Sequence, residues 1–276
     1  MNKQLIKQGS VMLALLFNVM IVHAQAIPSY VQQINYSVDI GHLNDGGISI
    51  LPNDLLIDYG DGVAPSGSIS PTVIRDIRGA IVDGFHYEVD GTKYFSFDVD
   101  TRVNGASVLK SDIIRCNDFN CTTFGYFFDS VAQNLQHINI NAFTFDVENG
   151  DLIFSIDGPA TIGSLGVVAA DMVRYDGSVF SLEYDSSSSI DGIGVYKNIN
   201  AISMMSTGEY GISLENDGDY KDEFNYDNHW ILSYAPSNRT WRWFYTILSF
   251  GEFENPLKLT SLMIRENDLI FRNGFD

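Results

Sequence analysis

The chain has 276 residues, 45% of them apolar, and a formal charge of −19 from 35 acidic and 16 basic side chains. That much apolar surface can fill a core, which excludes a disordered chain. The acid excess repels polyanions and anionic bilayers, which excludes nucleic acid as a partner.

The first segment reads as a leader. Lys3 and Lys7 precede an apolar run from Val11 to Val22, and small residues follow at Ala24 and Ala26. This is the pattern of a secretory signal peptide over residues 1–26, so the protein is expected to be exported, to the periplasm or beyond the cell. The run is too short and too interrupted by Asn18 for a membrane span. Cleavage removes two lysines and no acid, moving the formal charge from −19 to −21. Residues 27–276 then form one domain, expected as a monomer without a membrane span.

Ile34, Tyr36, Val38 and Ile40 alternate with polar residues, the period of a half-buried strand. A weak hairpin pattern follows at 46–61. A stronger one, DGFHYEVDGTKYFSFD, runs over 83–98, and a second pair of short apolar runs occupies 111–115 and 124–129. The clearest stretch is 141–186. NAFTFDVENGDLIFSID turns at Glu148-Asn149-Gly150, a Gly-rich loop follows, and MVRY and VFSLEY are joined by Asp176-Gly177, a strong hairpin signal. The same order returns at 200–215 and 229–247. A last hairpin begins at Thr260, where Leu269 to Arg272 would return.

Self-similarity at this period predicts an all-β repeat architecture. Counting Gly46, Asp83, Asn141, Asn200 and Thr260 as starts gives a β-propeller of about five blades, its closing blade shared between the N- and C-terminal strands. The alternative is a β-sandwich or another stack of sheets. Asp112-Ile-Ile-Arg115 with Phe124 to Asp129, and Asp171-Met-Val-Arg174 with Phe180 to Asp185, resemble repeats of secreted bacterial propeller-like proteins of unassigned function. The tail IFRNGFD is similar to IF-x-x-GF-acid endings of exported bacterial proteins. The resemblance implies export and the propeller fold and names no activity.

Cys116 and Cys121, an even pair in an exported chain, are expected as a disulfide. No nucleophile elbow, Walker loop, zinc-protease helix or dinucleotide fingerprint occurs, so no catalytic residue is assigned. Three groups are candidates for binding. Asp83, Asn141 and Asn200, with Thr260, begin the first strand of successive hairpins and would ring one mouth of a channel, where ligands gather. Trp241, Trp243 and Tyr245 share one face of a strand and would stack on a glycan if exposed. Asp217, Asp219 and Asp222 in NDGDYKDE, and the similar DVDTRVN over 98–104, could offer oxygen ligands to calcium. The paired Asp112/Arg115 and Asp171/Arg174 recur at equal places and read as scaffold. The expected function is a non-enzymatic exported protein that binds a glycan or surface protein. The alternative is a five-bladed glycoside hydrolase using carboxylates such as Asp83.

Overall fold

The structure, a computed structural model, describes residues 80–246 except 89, 117–120 and 222–223, together with six strands outside that range. The expected leader and the tail 267–276 lie outside the described residues. In chain order, β1 (Val31–Val38) is followed by a short ribbon of β2 (His42–Leu43) and β3 (Ser49–Ile50), then β4 (Leu55–Asp58) and β5 (Gly67–Ile69). Next come β6 (Val82–Tyr87), β7 (Lys93–Phe97), the ribbon β8 (Thr101–Val103) and β9 (Ala106–Val108), β10 (Ile113–Cys116) and β11 (Phe124–Phe128). The third group is β12 (Ile140–Phe145), β13 (Leu152–Ile156), β14 (Ala160–Ile162), β15 (Leu165–Val167), β16 (Met172–Tyr175) and β17 (Phe180–Tyr184). The fourth is β18 (Ile199–Met204), β19 (Tyr210–Leu214), β20 (Gly218–Tyr220), β21 (Phe224–Tyr226), β22 (Trp230–Ala235) and β23 (Thr240–Thr246), and β24 (Leu259–Glu266) ends the described chain.

These strands make four separate antiparallel sheets of four strands: β24-β1-β4-β5, β6-β7-β10-β11, β12-β13-β16-β17 and β18-β19-β22-β23, called sheets I to IV. Each carries a two-stranded ribbon between its second and third strands. Among the described residues no strand bonds from one four-stranded sheet to the next. The five-bladed propeller expected from the sequence is not formed, and the molecule is a stack of separate small sheets. The miscount has a simple cause. Residues 46–61 and 260–276 count as two units in the sequence, but β4 and β24 belong to one sheet, joined through β1. The return strand expected at 269–272 lies outside the described residues. Beside β24 the structure places β1, with Tyr36 opposite Leu262.

The first strands of the four sheets hold the stack together. β6 packs on β12 and β24, and β18 packs on β12 and β24. An apolar core fills each space between neighbouring sheets. Tyr94, Ile113 and Phe128 of sheet II meet Phe143, Phe154 and Ile156 of sheet III. Ile153 and Met172 of sheet III meet Ile202, Ile212 and Trp241 of sheet IV. Ile34 and Leu262 of sheet I meet Ile231 and Tyr245 of sheet IV, while Met263 of sheet I packs against the sheet II core that contains Phe85 and Phe95. Second strands therefore bury both faces: every residue of β7, β13 and β19 is buried. This is why KYFSF and LIFSI read as apolar runs rather than strict alternations. Each fully buried Phe or Ile contributes about 1.5–3 kcal/mol.

Candidate functional site

The hairpin turns between the first and second strands gather at one end of the stack. Those at Glu88–Thr92 and Met205–Glu209 share one pattern of backbone bonds, and the one at Asp146–Asp151 is a residue longer. Each has a glycine at positive φ, Gly91, Gly150 and Gly208, where a Cβ would be strained. Together with the end of β24 they border a cavity of about 640 Å³, within the range of small-molecule sites.

One wall is aromatic. Tyr94 lies on β7 opposite His86 of β6, and Phe145 reaches in from β12 of the next sheet. Tyr94, Phe145 and Phe127 stand edge to face with centroids 4.7, 5.0 and 5.3 Å apart, and His86 meets Phe145 edge-on at 4.8 Å. Phe127 reaches this wall because it is the extra residue of a β-bulge: Tyr126 and Phe128 pair with Ile114 and Ile113, leaving Phe127 between them. It stays 42% exposed. Met204 and Met263 complete the apolar lining.

The rim is mostly acidic, from Glu88, Asp146 and Glu266, with Arg265 beside them. His86 Nε2 stands 3.6 Å from Glu88 Oε1, and the nearby imidazole holds the Glu88 carboxyl below the usual range. Asp146 is committed elsewhere. Arg174 donates to it at 2.5 Å, and also to Asp151 at 2.9 Å and Glu183 at 2.7 Å. Burial raises the Asp146 pKa, but bonds from the Glu148 backbone and Arg174 outweigh it and the net shift is downward. Glu266 accepts from the Ser206 N–H at 2.5 Å through Oε2. Its Oε1 is closed to solvent and has no hydrogen-bond partner among the described residues.

The residues singled out at the strand starts lie at the other end of these same strands. Each is the extra residue of a bulge: Asp83 between Val82 and Gly84, Asn141 between Ile140 and Ala142, Asn200 between Ile199 and Ala201, Thr260 between Leu259 and Ser261. The bulge turns the polar side chain toward the neighbouring sheet, where it stitches the stack. Asn141 donates to the Ile199 carbonyl at 2.7 Å and to Asn200 Oδ1 at 3.1 Å, and Asn200 donates to the Leu259 carbonyl at 2.5 Å. Thr260 meets Ser37 at 2.7 Å, and Ser37 donates on to the Val82 carbonyl at 3.4 Å. Asp83, 7% exposed, accepts from Asn139 at 3.2 Å. The acid on which the hydrolase reading leaned is therefore buried in the scaffold and does not line the cavity.

Trp241 and Tyr245 are buried and Trp243 is half-buried. Trp241 packs on Tyr184 and Tyr234 and donates Nε1–H to the Asp191 carbonyl at 2.9 Å. The three do not form one exposed face, because Phe244 is a bulge residue that interrupts the alternation of β23. Asp217 and Asp219 flank and enter the ribbon β20–β21, and Asp217 accepts from the Asn228 N–H at 2.7 Å. Asp222 lies outside the described residues. The similar stretch 98–104 leads into β8–β9 at the same place of sheet II, turning at Asn104-Gly105 with positive φ at both. Among the described residues no group of three His, Cys, Asp or Glu is placed to hold a metal ion. The Cys116–Cys121 disulfide is formed, with Cα atoms 4.8 Å apart. Among the described residues no helix is long and apolar enough to cross a membrane.

No protein-family model matches the chain, and no curated protein sequence does. The resemblance to secreted propeller-like repeats is thus not supported. The recurrence of its motif has a local structural reason. Asp112 accepts from the Leu109 N–H and from both the N–H and hydroxyl of Ser130, and Asp171 makes the same three bonds with Val168 and Ser186. Among solved structures, a virginiamycin B lyase from Staphylococcus aureus aligns at 13% identity and a TM-score of 0.29, over 78% of this chain and 59% of that one. A protein of unknown function from Bacteroides thetaiotaomicron aligns at 11% identity and a TM-score of 0.31, over 84% and 57%. The chain spans less than two thirds of the length of either, and similarity this low transfers neither a fold nor a function.

Proposed function

We propose that the chain is an exported, non-enzymatic binding protein that holds a glycan or a segment of a surface protein in the cavity at the hairpin end of the stack. The observation that carries this reading is the pairing of an aromatic wall, including exposed Phe127, with a rim of carboxylate acceptors around about 640 Å³. The apolar face of a sugar ring stacks on an aromatic side chain, while its hydroxyls donate to carboxylates. Ligand sites of this kind combine apolar lining with a few convergent polar groups. The turns that border the cavity are short and internally bonded, which keeps the ordering cost of binding low.

The test is a glycan array followed by calorimetry on the mature chain and on Phe127→Ala. Binding that weakens by about tenfold or more in the variant, with the thermal midpoint unchanged, supports the site. Binding that survives Phe127→Ala intact would place the ligand elsewhere and overturn this reading.

A further inference from the structure

We infer that Met204 and Met263 form an oxidation site in the wall of this cavity, where a peroxide adds one oxygen to each thioether and so turns binding off. The site itself stands on the geometry, and its effect on binding rests on the cavity as the ligand site. The sequence holds two cysteines, and both are in the Cys116–Cys121 disulfide. Methionine is therefore the reduced sulfur left for a peroxide to oxidise. Three of the seven methionines belong to the expected leader, and the other four divide into two pairs. Met172, 0% exposed, is sealed in the core between sheets III and IV, and Met205, 1% exposed, in the core between sheets I and IV. Met204 and Met263 are half-buried and line the cavity, one from β18 and one from β24. Met204 and Met205 are neighbours in the chain, yet one faces the cavity and the other a core, because successive side chains of an extended chain point to opposite sides.

The chemistry is a two-electron oxygen transfer. A sulfur lone pair attacks one oxygen of the peroxide, the O–O bond breaks as the S–O bond forms, and the departing hydroxide takes the remaining proton as water. Sulfur is oxidised and the peroxide is reduced. A thioether is apolar and polarisable and packs well against rings. A sulfoxide carries a polar acceptor oxygen, and a ligand that covers it must strip its water at a cost. Oxidation thus leaves the aromatic wall and the carboxylate rim in place and spoils the remaining apolar lining.

The experiment treats the folded mature chain with hydrogen peroxide, followed by peptide mass spectrometry and by an array of neutral oligosaccharides read before and after. Oxygen should enter Met204 and Met263 at least about tenfold faster than Met172 and Met205, and array signals should fall by about tenfold or more. The volume-conserving double variant, Met204→Leu with Met263→Leu, should keep its array signals through the same treatment. Equal uptake at all four methionines would overturn the oxidation site. Selective uptake with unchanged signals, or signals that fall equally in the double variant, would overturn the switch. An array silent before treatment, beside selective uptake, would overturn the cavity as a glycan site and the switch with it, while supporting the oxidation site.

Discussion

Gly84 is the place where the stack has least room, and replacing it with alanine tests how the sheets are held. A methyl there would sit 2.4 Å from Cδ1 and 2.6 Å from Cε1 of Phe143, and 2.6 Å from Ser96 Oγ. Carbon pairs rest at about 3.5–4.0 Å, so the ring must retreat by about 1 Å. Phe143 is 1% exposed and shares a core with Ile113 and Phe154, and interiors at that density have no slack to give. Overpacking of this kind costs about 1–3 kcal/mol. In a domain of this size each kcal/mol lowers the thermal midpoint by about 2–4 °C. At the matching places of sheets III and IV the small residue is already alanine, Ala142 and Ala201, and the neighbouring side chains are Ile202 and Leu262 rather than a ring. Phe143→Leu should therefore relieve Gly84→Ala. Urea unfolding of the two single variants and the double, at constant m value, should give a coupling of at least about 1 kcal/mol. A Gly84→Ala variant within about 0.5 kcal/mol of the parent, or strict additivity with Phe143→Leu, would refute the close approach of β6 and β12 as the source of the cost.

Arg174→Met removes the cation shared by Asp146, Asp151 and Glu183. The carboxylates are partly solvated, so the loss should be about 1–3 kcal/mol and should shrink in high salt; a gap that salt leaves unchanged would assign it to packing. Cys116→Ala with Cys121→Ala opens a loop of sequence separation 5, worth about 2 kcal/mol in the unfolded chain. Faster hydrogen exchange should be confined to β10 and β11, and exchange rising equally in all four sheets would contradict a purely local clasp. Burial holds His229 below its usual pKa of 6.5, against the opposing charge of Asp227. The unfolded chain therefore binds the proton more readily, so the contribution of this side chain is complete above about pH 6.5 and is lost as pH falls through the folded-state value. Urea midpoints should fall between about pH 7 and pH 5 in the parent and less steeply in His229→Gln, and parallel slopes would clear His229 of the effect.

Hairpin pairing was legible in the sequence because it depends on neighbours in the chain. Alternating apolar residues on either side of Glu148-Asn149-Gly150 or Asp176-Gly177 fix strand, turn and register within about fifteen residues, and β12–β13 and β16–β17 form there. In sheet I the pairing of the N- and C-terminal strands was legible and forms as β1 with β24, but that β4 and β5 complete the same sheet was not legible in the local pattern at 46–61. The stretches 98–104 and 216–223 look like calcium loops in the sequence because turn residues and oxygen ligands are the same residue types. Asp83, Asn141 and Asn200 read as a ligand ring at a channel mouth, whereas each side chain bonds within the scaffold, because the bulge that aims it at the next sheet arises only when two strands differ by one residue in pairing. The cavity was invisible for a related reason. His86, Phe127, Phe145 and Glu266 come from three sheets, and only the packing of those sheets brings an aromatic wall and a carboxylate rim to one place.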